Sequence, residues 1–143
     1  MIDTNTTYAV PAIDMAEDIA RIHVESWREA YSDIIPPEIL ERVDVTDRTE
    51  RWRSYLGVAG HPTYLARVDG EPAGFIRSGT VTEPLVEGAD GHIFALYVLR
   101  RYHRLGIGRR LMGLVAADWL RRGGRVLSVG VLTENHQARA FYE

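Results

Sequence analysis

The chain has 143 residues and a mass of 16.2 kDa, the size of one compact domain, with 45% apolar and 26% charged residues, as expected of a globular protein with a core. It has no cysteine and no lysine, so all 17 basic residues are arginine. These absences exclude a disulfide scaffold, a thiolate nucleophile, Schiff-base chemistry and any phosphate loop built on a lysine.

Thr7–Val10 reads as a short strand. Asp14 is a candidate N-cap for an amphipathic helix that carries Ile19, Ile22, Trp27 and Tyr31 and ends before Pro36 and Pro37. Pro37 suits the first turn of a short helix over Glu38–Val43, and Asp47 is the expected cap of another that runs to about Leu56. Tyr64–Val68 and Ala73–Val81 form a hairpin around Asp69-Gly70, a dipeptide that accepts positive φ at both turn positions. Val81–Asp90 is a polar loop. His92–Leu99 is apolar on both faces and should be a central strand. A helix is expected from Ile107 to Arg122, with Ile107, Leu111, Val115 and Trp119 on one stripe, stopped by Gly123-Gly124. Arg125–Leu132 is a second apolar strand, and Asn135 can cap a last helix. Strand, helix and strand in that order imply a right-handed crossover between parallel neighbours, hence a mixed α/β fold.

The net charge of −3 is unevenly split. Residues 1–99 carry 8 arginines and 17 acids, a balance of −9, whereas residues 100–143 carry 9 arginines and 3 acids, a balance of +6. One half could meet an anion and the other a cation, or both could be solvated faces. An acidic total and the lack of a recognisable binding motif disfavour nucleic acid. No signal peptide or run of 18 apolar residues is visible, so the expected setting is cytoplasmic, without a membrane. The histidines at 23, 61, 92, 103 and 136 have no metal-ligand spacing, and neither Ser78 nor Ser128 lies in a nucleophile elbow.

The segment with most chemistry is Val98-Leu99-Arg100-Arg101-Tyr102-His103-Arg104-Leu105-Gly106-Ile107-Gly108-Arg109-Arg110. A buried strand feeds a loop with two glycines that opens a helix. The free N–H groups and positive dipole end of such a helix suit an anion. Glycine lets the backbone approach a phosphate closely, and Arg101, Arg104, Arg109 and Arg110 flank the turn. Leu111 stands where a dinucleotide fingerprint needs its third glycine or alanine, which argues against that ligand. A strand-to-helix turn without a ligand is the simpler alternative.

His103-Arg104-Leu105-Gly106-Ile107-Gly108 resembles the Q/R-x-x-G-x-G/A pyrophosphate loop of GNAT-superfamily N-acetyltransferases, with histidine at the Gln/Arg position. Leu96-Tyr97-Val98 looks like that family's pantetheine strand, and Asn135-His136-Gln137-Ala138-Arg139-Ala140-Phe141-Tyr142 is similar to its N-x-x-A-x-x-F-Y helix. The resemblance spans about His92 to Glu143. It implies a mixed, twisted sheet flanked by helices in a single domain, with acceptor-side helices over about 1–60 and the sheet and acetyl-CoA-binding core over about 61–143. The family's usual last two strands are absent from the sequence, and the expectation is that these residues belong to a longer chain. Were the chain complete, the strand over Arg125–Leu132 would have an open edge that could pair in a homodimer.

The resemblance further implies direct transfer of an acetyl group from acetyl-CoA to a primary amine of a small molecule or peptide, in a ternary complex and without a metal. Leu96, Tyr97 and Val98 would meet the pantetheine arm. His103, Arg104, Leu105, Gly106, Ile107, Gly108 and Arg109 would hold the diphosphate, and Asn135 would lie beside the pantetheine or serve as a plain cap. Tyr142 would protonate the leaving thiolate. His92 stands where the family often carries a glutamate base, and histidine as a residue type suits that task. Glu25, Glu29 and Asp33 are rival bases or acceptor ligands. Trp27 and Tyr31 could line the acceptor site with Glu29 and contact a cation, or could pack in the core. The acidic N-terminal part favours a cationic acceptor. The alternative function is a noncatalytic coenzyme A-binding or regulatory module.

Overall fold

The computed structural model of the chain describes residues 5–40, 42, 44–58, 62–80 and 88–129. Five strands form one mixed sheet in sequence order: β1 (Thr6–Ala9), β2 (Thr63–Val68), β3 (Glu71–Thr80), β4 (Gly91–Val98) and β5 (Leu127–Val129). The first four run antiparallel to their neighbours, whereas β4 and β5 are parallel and joined through a helix, as the sequence leads one to expect. The helices are α1 (Ala16–Tyr31), α2 (Pro37–Leu40), α3 (Val45–Tyr55) and α4 (Ile107–Arg121).

Strand alternation sends neighbouring residues to opposite faces of the sheet, and the core divides accordingly. Leu65 and Phe75 pack with Ile19, Ile22, Trp52 and Leu99 beneath α1 and α3. Ala66 and Ile76 face the other way, with Ile93, Ile107, Leu111 and Val115 of α4. The expected stripe on α4 is buried through Trp119. Asp69 (φ 51°) and Gly70 (φ 85°) close β2 and β3 with a two-residue turn, as their positive-φ tolerance requires.

Three local expectations need correction. Asp14 does not cap α1. It lies in a short 3-10 turn, Ile13–Met15, and the N-cap position of α1 falls one residue later, on Met15, with no side-chain cap hydrogen bond. Asp44, rather than Asp47, caps α3: its carboxylate accepts the Thr46 N–H at 3.0 Å. Asp47 instead pairs with Arg51 inside the helix. Trp27 and Tyr31 leave the buried stripe of α1 and remain half-buried, their rings 5.2 Å apart edge to face. The expected strand over Arg125–Leu132 is described as Leu127–Val129. Positions 130–143, with Asn135 and Tyr142, lie outside the described residues.

The turn from α4 to β5 is fixed from both sides. Gly123 has φ 87°, the Gly123 N–H bonds Leu120 O and the Gly124 N–H bonds Trp119 O, so the two glycines end the helix in a Schellman motif. The Asp90 carboxylate accepts Trp119 Nε1–H at 2.7 Å and the N–H groups of Arg125 and Val126 at 2.9 and 3.0 Å. These donors, the Trp119 indole first, hold its carboxyl below the usual range. The same indole lies against Gly91 and Gly124, where an added Cβ would come within 2.5 Å and 2.2 Å of the ring. Gly124→Ala is therefore expected to destabilise the protein by about 1–3 kcal/mol. Urea unfolding should show a lower midpoint at unchanged slope.

Candidate functional site

The junction of β4 and α4 is built from backbone. Leu99 leaves β4, and residues Arg100–Tyr102 make one 3-10 turn. Arg104 (φ 69°) and Gly106 (φ 77°) then adopt left-handed conformations, and α4 starts at Ile107. A left-handed N-cap glycine has no side chain to offer, and no side chain caps α4 among the described residues. The Arg110 N–H bonds Gly106 O, which leaves the N–H groups of Ile107, Gly108 and Arg109 outside the helix ladder. An anion would find three donors and the positive end of the helix dipole there. Open space surrounds the Cβ position of Gly106, and Leu105 beside it is 48% exposed.

Interactions reaching back into the fold hold this turn. Nε2–H of His103 donates to Val98 O at 2.8 Å, pinning the loop to the last residue of β4. Histidine thus supplies a loop contact at the position where the resembled motif has Gln or Arg. Glu29 of α1 accepts the Arg100 N–H at 3.0 Å, and the Arg100 guanidinium reaches back to Glu29 O. Arg101 pairs with Glu25 at 2.8 Å and lies over the Tyr102 ring. Of the four flanking arginines, Arg101 is therefore turned toward α1, and Arg110 lies 5.9 Å from the Tyr8 ring centroid. Arg104 and Arg109 are exposed and not ion-paired among the described residues.

Upstream of the turn, β4 is paired along its whole length with β3, but among the described residues its pairing with β5 covers only Gly91–Ile93. The β3 register steps from Arg77↔Ala95 to Ser78↔Ile93, so Phe94 is an extra residue that bulges from β4. Phe94 is 42% exposed, and Leu96, Tyr97 and Val98 are half-buried. Full burial is what two apolar faces suggested for this strand; from the bulge onward, Phe94 is exposed and Ala95–Val98 are half-buried. His92, at the start of β4, lies edge to face with Phe94 at 5.2 Å, and its Nδ1 is 2.8 Å from Ser128 Oγ on β5. Trp27, Glu29 and Tyr31 share the second half of α1 and are all half-buried.

Two groups near this strand escaped the sequence reading. His23 of α1 accepts the Trp52 Nε1–H at 3.2 Å and stacks near Tyr97 at 4.9 Å. Burial, with Arg48 adding a like charge, lowers its pKa to about 4, so it is neutral at pH 7. The Arg77 guanidinium lies 4.6 Å from the Tyr55 ring centroid and 5.5 Å from that of Phe94. The only sequence signal for either was an isolated polar residue within an apolar pattern. Among the described residues no cluster of His, Asp or Glu could hold a metal, and no helix is long and apolar enough to cross a membrane.

Comparison with known proteins converges on one family. The family model described as Acetyltransferase (GNAT) family matches residues 16–143. YuaI of Bacillus subtilis strain 168, an uncharacterised N-acetyltransferase, is 34% identical over 122 residues, covering 83% of this chain and 67% of its own length. The fold is similar to PaiA N-acetyltransferase from Thermoplasma acidophilum in complex with coenzyme A, with TM-score 0.79, 17% identity and coverage of 96% and 86% of the two chains. It is also similar to aminoglycoside N-acetyltransferase AAC(6')-Iy in complex with coenzyme A, with TM-score 0.78, 14% identity and coverage of 99% and 86%.

The buried histidine makes stability depend on pH. The unfolded chain protonates His23 near pH 6.5, whereas the fold keeps it neutral to about pH 4. Its contribution is complete above pH 6.5 and is lost as the pH falls toward 4, to a total of about 3 kcal/mol. Urea unfolding at about pH 7 and about pH 4.5 should show this loss, and His23→Gln should flatten it.

Proposed function

Because the chain belongs to the acetyltransferase (GNAT) family, we propose that it transfers the acetyl group of acetyl-CoA directly to a primary amine of a small molecule or peptide, within a ternary complex. The observation that carries this reading is the uncapped head of α4, where the N–H groups of Ile107, Gly108 and Arg109 face an open turn. That donor set fits a diphosphate: three convergent main-chain donors and no Cβ at Gly106, with Arg104 and Arg109 exposed alongside. Surface arginine pairs contribute only about 0.2–1 kcal/mol each, so the backbone donors dominate. Leu105 flanks them as part of the same loop. His103 acts through the backbone, by holding the loop on Val98. Leu96, Tyr97 and Val98 lie beyond the described β5 pairing and would offer main-chain groups to the pantetheine amides as an added strand does. Asn135 would face the same arm.

Acetyl-CoA supplies the activated thioester; the chain's own residues position the amine and manage its protons. His92 serves as the base that removes a proton from the acceptor ammonium, and Tyr142 as the acid for the departing thiolate. A phenol of pKa about 10 is matched to a thiol of about 8.5. Trp27 and Tyr31 form the acceptor's aromatic wall, a reading supported by their half-buried edge-to-face pair. Glu29 contributes negative charge there while its carboxylate also anchors Arg100. Residues of about 1–60 thus serve the acceptor and those of about 61–143 the coenzyme. The acidic balance of the N-terminal part supports a cationic acceptor.

Calorimetry with coenzyme A and with pantetheine tests the diphosphate grip. Pantetheine should bind at least about 100-fold more weakly, since it forgoes several charge-assisted hydrogen bonds, and equal affinities would refute the assignment. Gly106→Ala, which strains a left-handed residue, should weaken coenzyme A by about tenfold. For the chemistry, thiol release with acetyl-CoA is measured across spermidine, a peptide amine, a neutral alkylamine and glutamate. Spermidine or the peptide should lead, and Tyr142→Phe should lower kcat by about 10²–10⁴.

A further inference from the structure

His92 and Ser128 occupy opposed positions in the parallel pair of β4 and β5, so the register itself brings their side chains together. Ser128 is buried, and among the described residues its hydroxyl has two contacts: His92 Nδ1 at 2.8 Å and Gly91 O at 3.3 Å. A carbonyl oxygen can only accept, so the contact with Gly91 O offers the single hydroxyl hydrogen a partner away from the imidazole. With the hydrogen directed to Gly91 O, the oxygen that faces His92 is an acceptor, and Nδ1 carries the hydrogen that meets it. Among the described residues nothing bonds Nε2, and the Phe94 ring against the imidazole limits its rotation.

We infer that Ser128 is a positioning residue that holds neutral His92 in the Nδ1–H tautomer and leaves the Nε2 lone pair free to accept a proton. The inference rests on the reading of His92 as the base. In the step it serves, a proton leaves the acceptor ammonium and its bonding pair stays on the amine nitrogen. Nε2 takes that proton, and the resulting imidazolium keeps its Nδ1–H bond to Ser128 Oγ. Without the hydroxyl the ring can adopt the Nε2–H tautomer, which has no lone pair on that side. The logic is that of any histidine whose working nitrogen is set by the bond its other nitrogen makes.

Nitrogen-15 spectra of the histidine-labelled protein near pH 8 read the tautomer directly, with His92 assigned by its loss in His92→Gln. The wild-type protein should show Nδ1–H, Ser128→Ala should move His92 toward Nε2–H, and Ser128→Thr should restore it. With the best acceptor of the amine panel, Ser128→Ala should lower kcat about tenfold at unchanged KM for acetyl-CoA, and the threonine variant should recover most of that loss. A wild-type Nε2–H tautomer, or one that Ser128→Ala leaves unchanged, overturns the inference. A tautomer that shifts while neither Ser128→Ala nor His92→Gln slows turnover instead removes His92 as the base, and with it the part Ser128 plays in turnover. Normal kcat in Ser128→Ala beside a crippled His92→Gln shows that the base needs no such positioning and overturns the inference alone.

Discussion

A helix that begins without a cap is the constraint on which the rest of this structure turns. Unpaired N–H groups are costly when buried, and proteins normally satisfy the first turn of a helix with a side chain. Here the position that would carry such a side chain is Gly106, in a conformation that disfavours any other residue. The arrangement persists because its surroundings impose it. Ile107, Leu111 and Val115 bury one face of α4 against the sheet, His103 fastens the loop to Val98, and Glu29 fastens Arg100 to α1. The donors at the head of α4 are held in place before any ligand arrives, which is the condition under which backbone hydrogen bonds give most affinity.

The strand that feeds this turn has two different halves. From Gly91 to Ile93 it is held on both sides, and His92 sits in that rigid part. Beyond the bulge at Phe94 the strand keeps its β3 partner, and its side chains are half-buried. A bulge re-aims side chains and raises local twist. One strand can thereby fix His92, the proposed base, and aim the residues proposed to meet the pantetheine arm differently a few positions further on. The proposed chemistry uses both halves.

Electrostatics links the two parts of the chain more than it separates them. The acidic N-terminal portion and the basic C-terminal portion meet at Glu25–Arg101 and Glu29–Arg100, where α1 crosses the β4–α4 loop. Part of the charge asymmetry in the sequence is thus spent inside the fold, on exposed contacts that contribute little individually to stability but fix the loop. Arg104 and Arg109, exposed at the turn and not ion-paired among the described residues, face outward where an anion would approach.

The sequence by itself determined what is local. Hydrophobic periodicity placed α1, α4 and the long strands; Asp69-Gly70 and Gly123-Gly124 marked turns whose positive φ few other residues accept; and the two glycines of the loop marked the open helix start. Cap choice at Asp14 and Asp47 failed because only the path of the chain decides which residue sits at a helix start: Asp44 takes that position in α3, and Met15, with no side-chain cap bond, takes it in α1. Tertiary structure alone decided what depends on register and packing. The bulge at Phe94 arises from a mismatch between β3 and β4 that neither strand encodes separately. The meeting of His92 with Ser128, 36 residues on, and of His23 with Trp52, 29 residues on, requires strands and helices to be stacked first. Sequence patterns report the backbone a segment prefers, whereas a side chain's protonation and hydrogen-bond partners are set by groups that only folding brings near it.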